Sequence, residues 1–78
     1  MTTIEASALT APDHARRYAL VELLLVRVLH LAAADAPAEA DALAHAVSER
    51  LLARIDALLG WPERDLSGRL IPRRDGPP

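Results

Sequence analysis

Asp41, His45 and Glu49 stand at i, i+4 and i+8 in a stretch with helical periodicity. One helix face would then carry an imidazole with a carboxylate one turn to either side. Such a triplet could hold a divalent cation or poise an acid–base group, since imidazole is a common metal ligand and titrates near neutrality. The plainer alternative, a solvated face laced with charge pairs, is preferred, because the second histidine that HExxH-type spacing supplies one turn away is missing. His14 and His30 fall near opposite ends of the preceding helix, where the dipole disfavours protonation of the first and favours it for the second. Neither has a serine or a paired carboxylate at a spacing suited to nucleophilic catalysis. The glycines, Gly60, Gly68 and Gly76, lie in the tail and form no phosphate-cradling loop. These residues argue against an enzyme; no cofactor is expected, and metal ligation stays an alternative.

A second group lies in the C-terminal tail, where Arg64, Arg69, Arg73 and Arg74 are interleaved with Glu63, Asp65 and Asp75. With Trp61, Leu66, Leu70 and Ile71 as anchors, this reads as an arm that docks on a protein partner, Trp and Arg being enriched at binding hot spots. The competing view is that Trp61 caps the helical end and the remainder is solvated. Nucleic-acid binding is disfavoured, because the arginines alternate with acids and lack stacking aromatics.

Two long helices must position these groups. Thr10-Ala-Pro-Asp13 has the spacing of a helix start, and Asp13 reaches Arg17 one turn on. The periodicity predicts helix 1 over about 12–34, with Tyr18, Val21, Leu24, Leu25, Val28, Leu29 and Leu31 on one broad face. Leu20 and Leu23 fall beside the charges of the opposite stripe. Glu22 is expected to snorkel at an edge or to pair with an arginine of another helix. Asp35-Ala36-Pro37 closes helix 1 and opens helix 2, expected over about 37–59 with an apolar line through Val47, Leu51, Ile55 and Leu58. Gly60 should end helix 2 as a left-handed cap, with Pro62 preventing resumption. Pro62 to Leu66 suits one short helical turn, Leu70-Ile71-Pro72 an extended segment, and Arg73 to Pro78 disorder.

From Tyr18 to Ala34 the only charged or imidazole side chains are Glu22, Arg27 and His30. That is more apolar surface than one neighbouring helix covers. A 78-residue chain buries only about 60% of its unfolded surface and needs a further source of stability. Cysteine is absent, which excludes disulfides and thiolate metal sites. Oligomerisation remains. All nine basic residues are arginine, a bias that looks like a GC-rich bacterial genome, in a small bacterial or phage protein. The net charge of −2 draws the chain neither to nucleic acid nor to an anionic membrane. Arg16-Arg17 followed by an apolar run loosely imitates a secretion signal, but Glu22 and Arg27 interrupt the run, and the same charges argue against a membrane span.

The sequence therefore predicts an all-α fold: an antiparallel helical hairpin dimerising into a four-helix bundle. Residues 1–9 form a flexible leader, 10–60 the hairpin domain and 61–78 a short irregular C-terminal arm. The self-association face comprises Tyr18, Val21, Leu24, Leu25, Val28, Leu29, Leu31, Val47, Leu51, Ile55 and Leu58; the partner-binding arm, Trp61, Arg64, Arg69, Leu70, Ile71, Arg73 and Arg74. The expected function is a cytoplasmic, non-catalytic protein–protein interaction module, a homodimer with a further protein partner of unknown identity. Two alternatives are a metal- or ligand-responsive regulator using Asp41, His45 and Glu49, and a weak nucleic-acid-associated regulator. No motif is specific enough to assign a family.

Overall fold

The computed structural model describes residues 11–72, and every regular element within them is helical. Helix α1 spans Ala11–Leu23 and runs on into a π-helical segment, Leu24–Val28. Helix α2 spans Ala36–Leu43 and α3 spans Glu49–Leu58. The expected all-α hairpin is present, with both of its helices altered. The leader 1–9, Thr10, and Arg73 and Arg74 of the arm lie outside the described residues.

The first helix stops well short of residue 34. The amide of Leu29 donates to the carbonyl of Leu24 at 3.1 Å, one residue wider than an α-turn, and Leu31 donates to Leu25 at 2.8 Å. His30 then takes a left-handed conformation with φ 59°, uncommon for a non-glycine residue. A π-turn inserts one residue, so the apolar stripe rotates by about 100° at this point. That rotation explains why Leu25 is buried while Val28 and Leu29 are exposed. Asp35 occupies the N-cap position of α2 and Pro37 its first turn, as the sequence suggests, but the Asp35 side chain makes no capping bond.

The second helix is broken. Ser48 is extended (φ −72°, ψ 161°), and its Oγ accepts the Leu51 amide proton at 3.1 Å, an N-cap that starts α3 anew. The continuous helix expected over about 37–59 is interrupted at this cap. The break lets α2 and α3 cover two different sides of α1. Against α2, Val21 and Leu25 pack on Ala40, with Tyr18, Leu31 and Val47 at the margin. Against α3, Ala19, Leu20 and Leu23 pack on Leu52, Ile55 and Ile71, with Leu24, Val47 and Leu59 alongside. Leu20 and Leu23, expected beside charge, are thus among the most buried side chains. Ala36, Ala40 and Ala44, spaced four apart, are buried and permit close helix approach.

Gly60, with φ 80°, ends α3 as anticipated. The Trp61 amide donates to Asp56 at 2.8 Å and the Gly60 amide to Ala57 at 3.0 Å, the paired closure of a Schellman motif. Beyond it no helical turn forms over Pro62 to Leu66. Arg64 and Leu70 make an isolated antiparallel bridge, and the Ile71 amide donates to Glu63 at 2.8 Å. The Asp65 carboxylate closes the turn by accepting from the Ser67 hydroxyl (2.8 Å) and the amides of Ser67 (2.9 Å) and Arg69 (3.0 Å). Ile71, expected as a partner anchor, is 7% exposed and belongs to the core. None of the described helices is long and apolar enough to cross a membrane.

Candidate metal centre

The N-terminal half of α1 carries His14, Arg17 and Tyr18 within little more than one turn, facing the end of α2 and the break behind it. His14 and Arg17 make polar contacts there, and Tyr18 makes one at the first turn of α2. His14 Nε2 lies 3.2 Å from His45 Nε2, with the two ring centroids 4.5 Å apart and the planes at 63°. Two neutral imidazoles meeting nitrogen to nitrogen share one proton, or else present two lone pairs to one point. Metal–imidazole bonds of about 2.0–2.1 Å place two nitrogens of one ion roughly 2.9–3.4 Å apart for bond angles between a right angle and the tetrahedral value. The observed separation falls in that range, and the donor type suits a first-row divalent cation.

Asp41 stands on α2 one turn before His45. It is exposed, and its charge reaches across to Tyr18, whose hydroxyl donates to the Pro37 carbonyl at 3.5 Å. Burial first, then Glu22 and Asp41, push the Tyr18 hydroxyl above its ordinary pKa. Among the described residues no cluster of three or more His, Cys, Asp or Glu side chains is close enough to hold an ion together. The chain thus contributes two converged nitrogens, with one carboxylate nearby.

Glu49 is not part of this group. The break interrupts the face on which it was paired with Asp41 and His45, and its carboxylate accepts from Arg17 Nη1 at 2.9 Å. Arg17 also donates from Nε to the Ala44 carbonyl at 2.9 Å. On the neighbouring side Arg16 Nη2 pairs with Asp56 at 3.2 Å, tying α1 to α3. His30 is exposed at the far end of the π segment, away from the pair. Glu22, expected to snorkel at an edge or to pair with an arginine of another helix, is half-buried; burial and then the like charge of Asp65 raise its pKa. Asp65 is lowered: burial works against ionisation, but the Ser67 and Arg69 hydrogen bonds and the Arg69 charge outweigh it.

The residue that sequence reasoning missed is His14. It was judged by its own helix, where no partner stands one turn away. Its partner lies 31 positions on, across the antiparallel packing. The legible signal was two histidines set back on either side of the same helix connection.

The fold thus brings His14 of α1 and His45 of the joint after α2 within 3.2 Å of each other, two nitrogen donors of a type that ligates metals. Comparison with known families agrees: the family model for the iron dependent repressor, metal binding and dimerisation domain matches residues 9–73. The chain belongs to this family. It is also similar to a solved manganese-dependent transcriptional repressor, with 48% identity and TM-score 0.76 over 81% of this chain and 34% of that one. A second solved structure, a manganese-dependent transcriptional repressor in complex with manganese, shows 43% identity and TM-score 0.81 over 97% of this chain and 36% of its own. The chain spans about a third of the length of these solved chains. The comparison with curated proteins gives no match.

These findings overturn the reading of the chain as an adaptor-like interaction module. The apolar helix that suggested it is largely covered by α2 and α3, and the family is defined by metal binding and dimerisation. The metal-responsive alternative takes the place of that reading.

Proposed function

We propose that this chain is the metal-sensing and dimer-forming part of a cytoplasmic, metal-dependent transcriptional repressor rather than an enzyme. The single observation that carries the reading is the 3.2 Å approach of His14 Nε2 to His45 Nε2. His14 and His45 would hold the cation, with Asp41, one turn before His45, as a candidate further donor, and the bound ion would supply positive charge and a cross-link between α1 and the joint after α2. A mixed imidazole and carboxylate set accommodates manganese or iron, and selectivity then comes from geometry, because raw affinity follows the order that places manganese lowest.

His14 belongs to a helix whose far side is fixed by Leu20 and Leu23, whereas His45 lies in the non-helical joint between α2 and α3. Bringing His45 onto His14 therefore acts on a joint, the kind of element that a ligand can bias between two arrangements. The nucleic-acid expectation needs revision at the level of the whole repressor. The net charge of −2 argues against DNA contact by this segment's own surface, and DNA is the partner proposed for a whole protein of which this is one part.

The dimer proposed here is a homodimer. Of the residues expected at its interface, Val21, Leu25 and Ile55 are spent on the chain's own core, while Val28, Leu29, Leu51 and Leu58 remain exposed. The second group is the self-association surface we assign.

The test is a calorimetric titration of the chain with manganese(II), iron(II) under anaerobic conditions, and cobalt(II). The expected result is saturable binding that His14→Ala or His45→Ala weakens by about 100-fold or more, with the melting temperature rising on loading. A cation at 100 times its Kd stabilises the folded state by about 2.7 kcal/mol. Titrations without heat or thermal shift, in a chain whose helicity is intact, would sink the reading.

A further inference from the structure

We propose that Arg17 is the positioning residue of the two-histidine site: it holds the joint between α2 and α3 so that His45 faces His14, without itself touching the cation. The proposal rests on the reading of His14 and His45 as ligands. Arg17 follows His14 by three positions on α1, so both side chains address the same neighbour. Its side chain reaches across that gap in two directions. Nε donates at 2.9 Å to the carbonyl of Ala44, the residue immediately before His45, and Nη1 donates at 2.9 Å to Glu49 in the first turn of α3. One guanidinium therefore grips both sides of the segment that carries His45.

That segment needs a grip. Between Leu43 and Ser48 the chain is a turn, in which the Ala46 amide returns to Leu43 at 2.9 Å. The α-helical ladder of α2 ends one residue before His45, with the Ala44 amide donating to Ala40 at 2.8 Å. Arg17 is also the one buried charged residue among those described, 6% exposed. Burial of a charge is costly unless it is paired and hydrogen-bonded, and Glu49 supplies the pairing. The carboxylate has a second consequence: it neutralises a cation that would otherwise sit close to a site meant for another cation. The planar fork makes both contacts at once, which the single ammonium of lysine does not reproduce.

Copper(II) is the probe, because the nitrogen hyperfine structure of its paramagnetic resonance spectrum counts coordinated imidazoles. The wild-type chain is expected to show two. Arg17→Met and Arg17→Lys are expected to lose one of the two and to bind copper about ten-fold more weakly or worse, the usual cost of removing a group that orients a ligand. Glu49→Gln, which leaves the Arg17 contact to Ala44 possible, should keep both nitrogens. Apo helicity by circular dichroism accompanies each variant. Arg17→Lys keeps the charge and the aliphatic stem, so it folds even where the methionine variant does not. Two-nitrogen spectra at wild-type affinity in folded Arg17→Lys would overturn the proposal. A wild-type spectrum without two nitrogens, or one that His14→Ala leaves unchanged, would refute the ligand assignment on which the proposal stands.

Discussion

The two ends of the first helix are built from opposite materials. At its N-terminal end His14, Arg16, Arg17 and Tyr18 each meet a named polar atom on α2, α3 or the joint between them. At its C-terminal end Leu24–Val28 widen into a π-turn, and Val28 and Leu29 are left in solvent. Directional contacts with fixed distances make a site; non-directional apolar surface makes an assembly. On the function proposed above, the two tasks for which the family is named, metal binding and dimerisation, would be separated along one helix, with the core between them.

The sharpest way to break that separation is to place a carboxylate on each side of the π-turn. Leu25→Asp buries a charge in the cluster with Val21 and Ala40, and the chain is expected to unfold, since such losses reach about 4–5 kcal/mol. Leu29→Asp, on a residue 61% exposed, is expected to leave helicity unchanged and turn a dimer into a monomer by light scattering. Equal loss of helicity in both variants would show that the π-turn does not divide core from interface.

At the other end the contrast predicts loss of function without loss of fold. His14→Ala and His45→Ala should each weaken cation binding by about 100-fold or more while moving the apo melting temperature little, because neither residue belongs to the hydrophobic clusters. Dimerisation in the absence of metal should be unaffected. A variant that loses metal and the dimer together would mean that the two ends are one site.

How much of this was legible depends on whether the signal was periodic or local. The apolar repeat disclosed two antiparallel helical stretches, and Gly60 announced its cap. The repeat could not disclose the π-turn, since an inserted residue leaves each leucine in place in the sequence while rotating those that follow. Nor could it disclose the break at Ser48, because Val47 and Leu51 keep helical spacing through it. Asp41, His45 and Glu49 were grouped on the assumption of a continuous helix, whereas α2 ends at Leu43 and Glu49 opens α3. His14 was invisible for a different reason: the side chain it meets lies 31 positions on, in the joint between α2 and α3, and one chain read along its length contains no record of that register.

The cap itself gives a smaller effect. Ser48→Ala removes the acceptor for the Leu51 amide and should cost about 1 kcal/mol, read as a lower urea midpoint. If the break serves to aim His45, the same variant should also weaken metal binding several-fold. Ser48→Asp, which keeps an acceptor, should restore both. Loss of stability without loss of affinity would leave Arg17 alone in charge of the joint.

The smallest effect lies between the helix and the arm, where the charge of Asp65 reaches Glu22 and the two carboxyls are shifted in opposite directions. Glu22 is raised, by burial and then by Asp65, so its folded form holds a proton more tightly than the unfolded chain does. Its ionisation therefore works against folding above the folded pKa, and the penalty fades as pH falls through that value toward the ordinary carboxylate range. Asp65 is lowered by its hydrogen bonds to Ser67 and Arg69 despite burial, so it stabilises the fold above its ordinary value and ceases to do so as pH falls through its depressed one. Glu22→Gln should accordingly raise the melting temperature slightly at pH 7, with the gain shrinking toward pH 4, whereas Asp65→Asn should lower it at pH 7 by opening the turn that leads to Ile71. In the double variant the benefit of Glu22→Gln should be smaller than in the wild type, because the like charge that opposed it is gone. An unchanged benefit would mean that burial alone raises Glu22, and that the arm rests on α1 through Ile71 without electrostatic opposition.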